Sequence, residues 1–222
     1  MHPALNKPAL IAFQDDIQQR FLAAEVRHPI HLCDPNQIDH LLPIFEQIQE
    51  QDWLFTSYRG IFHWLLKGVS PDELRAAIIR QGTMGFCDKE RRIVSSAIVG
   101  GQLPIALGMA MGLQNRALAA DVLPPNVWCF LGDMAAETGA FHEAIKYAGR
   151  HQLPITFVIE DNGLSTNSPT QKVWGLDNNR ILSEPFEGDP WSSGRDYSVG
   201  VRWYHYKRSV PHVGVGSWVT FS

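Results

Sequence analysis

Apolar residues recur at helical spacing through the first fifty positions. Ile11, Phe13, Ile17, Phe21 and Leu22 fall on one stripe, which predicts a helix over 9–26. A second is expected over 37–49, with Asp34 or Asn36 as its cap. At Ser70-Pro71-Asp72-Glu73 a capping box coincides with proline at the first helical position, where its missing N–H costs nothing. That helix should run to about Arg80 and stop at Gly82. Between 104 and 120, Gly108 and Gly112 lie four apart among alanines and methionines, the pattern of a helix packed closely against a neighbour. The arginine and asparagine that follow favour a core helix in water over one in a membrane.

The period then changes. Asn126 to Leu131 is an apolar run too short for a helix and reads as a buried strand, and Pro154 to Ile159 reads as another. A helical pattern over 139–150 separates them, so strand, helix and strand form a βαβ unit with parallel strands. From Gly175 the chain is rich in Gly, Pro, Ser and Trp, and ends with strand-like residues over 202–208. The pattern divides the chain into a helical arm over 1–55, an α/β domain over 56–180 and a C-terminal arm over 181–222. Trp191, Trp203, Tyr204, Tyr206 and Trp218 suit that arm to an interface, and suit it equally to covering a sheet edge.

Composition narrows the functional classes. The chain has 222 residues, 45% hydrophobic, with 19 basic and 23 acidic side chains and a net charge of −4. This excludes a disordered tail and leaves no electrostatic footprint for nucleic acid or an anionic membrane. The apolar runs fall far short of the roughly 20 residues that a membrane span needs. Cys33, Cys87 and Cys129 have no paired spacing, and the first residues lack a charged stretch followed by an apolar one. A cytoplasmic protein with reduced thiols is expected.

Ligands of open parallel sheets bind beyond the carboxyl ends of the strands. Gly132-Asp133 follows the first strand and Glu160-Asp161-Asn162 the second. If the two strands are neighbours their ends lie about 5 Å apart, or about 10 Å with one strand between them, and either distance lets Asp133 and Asn162 converge on one cation. Magnesium takes six oxygens, usually with only one or two carboxylates, and phosphates and water complete its shell. A helix cap at Asp133 and an Asx-turn at Asn162 account for the same residues equally well. His28, His31 and Cys33 lack a second ligand pair at zinc spacing and are read as incidental, His142 as a surface or subunit-facing residue, and Glu137 as a first-turn helix charge.

The segment Gly132-Asp133-Met134-Ala135-Ala136-Glu137-Thr138-Gly139, followed by Leu153-Pro154-Ile155-Thr156-Phe157-Val158-Ile159-Glu160-Asp161-Asn162, resembles the thiamine-diphosphate motif. Tyr58-Arg59-Gly60 with Lys67-Gly68 resembles the diphosphate-contacting segment of alpha subunits of 2-oxoacid dehydrogenase decarboxylase components. Ile98-Val99-Gly100-Gly101-Gln102-Leu103-Pro104 resembles their Ile-Val-Gly-x-Gln-x-Pro segment. The likeness covers about 50–175, and the loop over 161–166 looks closer to transketolases. It implies a three-layer α/β thiamine-diphosphate-binding fold with a mostly parallel sheet. It further implies that Asp133, Asn162 and the Leu164 carbonyl ligate Mg2+, and that Tyr58 and Arg59 hold the diphosphate. The main chain at Ala97 and Val99 would meet the aminopyrimidine, with Gly132, Met134 and Ala135 beside the diphosphate.

Three positions depart from the pattern. Met134 replaces a glycine, Ile61 stands where an Arg-x-His pattern places a histidine, and Gly85 where Gly-Ser-Met-His places another. His63, two residues beyond Ile61, becomes the catalytic candidate, with a packed or capping histidine as the equal alternative. In the family, a glutamate that activates the aminopyrimidine sits on a second, pyrimidine-binding domain, for which the chain has no evident room. The resemblance therefore implies a beta-type partner subunit carrying that glutamate, in an α2β2 heterotetramer acting on a 2-oxo acid. Half of a split transketolase-like enzyme and a non-catalytic scaffold are the alternatives.

Overall fold

The computed structural model describes residues 5–174 and 200–209. Helix α1 spans Lys7–Leu22, its first turn capped by the Asn6 side chain, which accepts from the Ala9 N–H. It stops short of the predicted Val26 because Ala24 turns into the left-handed region, at φ 59°. Asp34 caps a 3₁₀ turn over Pro35–Gln37, and α2 follows over Ile38–Phe45. Pro43, which has no N–H to give, lies in its last turn, and the helix predicted to reach 49 ends there. Strand β1 is Trp53–Ser57 and α3 is Ile61–Leu66. The expected capping box of Ser70 and Glu73 opens α4, Pro71–Gln81, and Gly82 closes it at φ 70°. β2 (Cys87–Asp88) and β3 (Ile93–Ser96) pair antiparallel. Then come α5 (Gln102–Ala120), β4 (Val127–Gly132), α6 (Asp133–Ala136), α7 (Gly139–Arg150) and β5 (Ile155–Asp161). The two-residue strands β6 (Leu164–Ser165) and β7 (Ser168–Pro169) pair with each other, α8 is Thr170–Trp174 and β8 is Gly200–His205.

The described residues divide into two compact units, one of 5–50, 56–97 and 207–209, the other of 51–55, 98–174 and 200–206. These boundaries differ from the three segments expected from sequence. In the first unit, Leu10, Ile17, Ile38, Leu41, Phe62, Leu65 and Ile78 are buried. Trp64 stacks on Phe86 with centroids 4.6 Å apart and donates its indole N–H to Thr56 Oγ1 at 3.0 Å. Asp16 bridges Arg20 and Arg75, and those hydrogen bonds hold its carboxyl below the usual range.

The second unit is built on parallel strands in the order β1-β4-β5-β8. Strands covered on both faces read as continuous apolar runs, and β4 and β5 are buried almost throughout. The fold class is α/β with a mostly parallel sheet and flanking helices, as the βαβ pattern requires. Two expectations change here. Gly108 and Gly112 are exposed, and a Cβ added at either would meet nothing within 4 Å, so among the described residues no close neighbour explains them. Leu103, Ala106, Ala110 and Ala117 form the buried face of α5 instead. The segment from Gly200, read as part of a terminal arm, is a strand of the sheet, in register with β5 from Thr156↔Gly200 to Asp161↔His205. Trp191 and Trp218 lie outside the described residues.

Candidate functional site

Strands β4 and β5 are direct neighbours, and the pair Gly132↔Glu160 ends their shared register. Asp133 therefore leaves the end of one strand as Asn162 follows the end of the other. The Asp133 carboxylate is 5% exposed and accepts from the Thr170 hydroxyl, and the main-chain N–H of Asn162 favours its charged form. Burial, reinforced by the charge of Asp161, pushes its pKa up to about 6, while the Thr170 hydrogen bond pulls the other way. Asp161, 1% exposed, accepts from the Gly163 N–H at 2.8 Å and has His205 Nδ1 3.4 Å away. Both carboxyl groups are removed from water, and a cation held at Asp133 would offset the cost of burying its charge.

Asn162 does form the Asx-turn: its Oδ1 accepts from the Leu164 N–H at 3.0 Å. Its Nδ2 donates to the Tyr206 hydroxyl at 2.8 Å. An amide oxygen carries two lone pairs, so the turn leaves one for a further partner. The turn and the cation ligand are thus compatible. A carboxylate, an amide oxygen and a main-chain carbonyl make an all-oxygen donor set, which suits Mg2+ better than a softer metal.

Met134 sits in α6, and its φ is not in the left-handed region that would require glycine. Its sulfur accepts from the Trp174 indole N–H at 3.0 Å, which draws the side chain toward α8. Ala135 is buried, and Val99 is exposed ahead of α5.

The other expected residues belong to the first unit. Tyr58 and Arg59 are half-buried just after β1, and Ala97 is half-buried after β3. His31 meets Tyr58 edge-on, with ring centroids 4.5 Å apart, and the Cys33 thiol donates to the Arg59 carbonyl at 3.3 Å. Burial, helped by the Arg59 charge, lowers the His31 pKa to about 4, so the imidazole is neutral near pH 7. His63 lies on α3 with 0% exposure, edge-on to Phe45, an environment that fits the packed-histidine alternative better than a residue facing substrate.

With this geometry in hand, comparison with known proteins is decisive. The family model described as dehydrogenase E1 component matches residues 27–174, more than half of the chain. The chain belongs to the dehydrogenase E1 component family. It is 25% identical over 175 residues to the acetoin:2,6-dichlorophenolindophenol oxidoreductase alpha subunit of Bacillus subtilis, covering 74% of this chain and 51% of that one. It is 25% identical over 202 residues to the chloroplastic pyruvate dehydrogenase E1 component subunit alpha-3 of Arabidopsis thaliana, covering 85% and 44%. It is 32% identical over 128 residues to the pyruvate dehydrogenase E1 component subunit alpha of Bacillus subtilis, covering 56% and 33%. The chain spans about half the length, or less, of these curated relatives.

Within this E1-family chain, sequence reasoning missed Thr170, read Tyr206 only as an interface or sheet-edge aromatic, and did not place His31 beside Tyr58. Thr170 and Tyr206 are remote in sequence from the groups they hold. His31 was visible only as a member of an apparent ligand cluster. A cleft of about 490 Å³ in the first unit is edged by Lys67, Gly68, Arg91 and Arg92, so it holds the Lys67-Gly68 end of the resembling segment but neither Tyr58 nor Arg59. Among the described residues, no helix is long and apolar enough to cross a membrane.

Proposed function

We propose that this chain is the alpha-type, cofactor-anchoring part of a thiamine-diphosphate-dependent E1 component that decarboxylates a 2-oxo acid. The observation that carries the reading is the meeting of Asp133 and Asn162 at the carboxyl ends of β4 and β5. In this reading Asp133, Asn162 Oδ1 and the Leu164 carbonyl hold Mg2+. Tyr58 and Arg59 bind the diphosphate, a task for which a guanidinium is suited because it can donate two parallel hydrogen bonds. Main-chain groups at Gly132, Met134 and Ala135 border the diphosphate, and those at Ala97 and Val99 the aminopyrimidine. The neutral His31 beside Tyr58 offers a hydrogen-bonding group that adds no charge there. Thiamine diphosphate, when bound, supplies the electron sink that decarboxylation requires.

The relatives' alpha-subunit names support a beta-type partner. We assign to that partner the pyrimidine-binding domain and the activating glutamate, in an α2β2 assembly in the cytoplasm. Calorimetry tests the reading: thiamine diphosphate with Mg2+ is titrated into the chain reconstituted with its beta-type subunit. Saturable heat that Asp133→Ala abolishes is expected; no heat from the unmutated complex overturns the proposal.

A further inference from the structure

We propose that Tyr206 is a positioning residue for Asn162, holding its carboxamide with the oxygen toward the cation. The inference rests on the cation-site reading above. Strand β8 runs parallel to β5, with Glu160 opposite Tyr204 and Asp161 opposite His205. One residue on, the Tyr206 N–H donates to the Asp161 carbonyl at 2.9 Å, so Tyr206 arrives level with Asn162. Its ring is buried, at 5% exposure, and its hydroxyl accepts from Asn162 Nδ2 at 2.8 Å.

A carboxamide has one end that can ligate a cation and one that repels it. The Leu164 N–H, 3.0 Å from Oδ1, selects the sense of the amide, since an N–H can meet only the oxygen. The Tyr206 hydroxyl holds the opposite end. Held at both ends, the amide cannot turn, and the remaining lone pair of Oδ1 keeps one direction. Without the phenol, Nδ2 loses a buried acceptor and the amide swings about its single remaining bond. Partners that orient a metal ligand typically contribute roughly ten- to a hundredfold to metal affinity.

The test is Mn2+ binding followed by electron paramagnetic resonance, with thiamine diphosphate present, on the full chain reconstituted with its beta-type subunit. Tyr206→Phe is expected to weaken Mn2+ uptake by about tenfold or more and to alter the bound-ion spectrum. Tyr204→Phe removes a hydroxyl of similar burial two residues earlier, on β8, one bonded to Glu160 at 2.5 Å, and should leave affinity and spectrum unchanged. Wild-type affinity and spectrum in Tyr206→Phe, with Asp133→Ala abolishing uptake, overturns the role of Tyr206 alone. Equal weakening by Tyr204→Phe also overturns it, because strand packing then explains the loss. Mn2+ uptake that is absent from the unmutated complex, or untouched by Asp133→Ala, overturns the cation site and the inference with it.

Discussion

Asp52 carries no expected function, yet it is 4% exposed and satisfies two donors, one half-buried and one buried. Its Oδ1 accepts from the Asn126 N–H at 2.8 Å and its Oδ2 from the Trp128 indole N–H at 3.1 Å. Asp52→Ala leaves both without an acceptor, and at about 1–3 kcal/mol for each stranded group the loss should be about 2–6 kcal/mol, read from urea unfolding. His31 gives a pH dependence whose sign follows from its lowered pKa. The folded chain keeps the imidazole neutral down to about 4, whereas the unfolded chain takes up a proton near 6.5. Stability is thus intact above that window and falls as the pH drops through it. His31→Asn should flatten the difference between urea midpoints measured near neutrality and in mild acid; an unchanged difference contradicts the assignment. The sequence did not reveal this residue, because nothing local places position 31 against Tyr58. Asp133 and Asn162 were legible for the opposite reason: one crossover unit brings both to the same sheet edge.

Elements with their own end signals were read well. Ser70, Pro71 and Glu73 fix the start of α4, and Ser70→Ala should cost about 1 kcal/mol, as capping residues do. Gly82→Ala should cost more. Its φ of 70° strains any side chain, and an added Cβ would lie 2.4 Å from the Pro29 carbonyl oxygen. Denaturation midpoints of the two variants give the order; a milder effect at Gly82 would show that the Pro29 segment yields. Elements lacking such signals were misjudged. The expected helix over 37–49 overruns Pro43, and among the described residues nothing packs against Gly108 and Gly112 of α5. β8 was misplaced because alternation identifies a strand but not its partner. Its position beside β5 depends on contacts more than forty residues apart in sequence, such as Tyr204 with Glu160.

At the scale of the molecule, holding a cation and docking a partner are separable properties. The proposed cation ligands follow the ends of two neighbouring strands of the second unit, with Asp133 buried and Asn162 and Leu164 half-buried, whereas subunit association is a property of surfaces. Asp133→Asn separates the two. The amide keeps an oxygen to accept from the Thr170 hydroxyl, and it removes a charge that burial already disfavours in the cation-free chain. The variant should therefore fold and still occupy the proposed beta-type subunit, while lacking the charge that draws a divalent ion. Mixed with wild-type chain before the partner is added, it should act as a competitor. Decarboxylation of the 2-oxo acid should fall in proportion to the wild-type share as the variant is raised in molar excess. A rate that holds steady while folded variant accumulates would mean that the chain does not compete for a partner, and the alpha-type assignment would fail even if thiamine diphosphate binds.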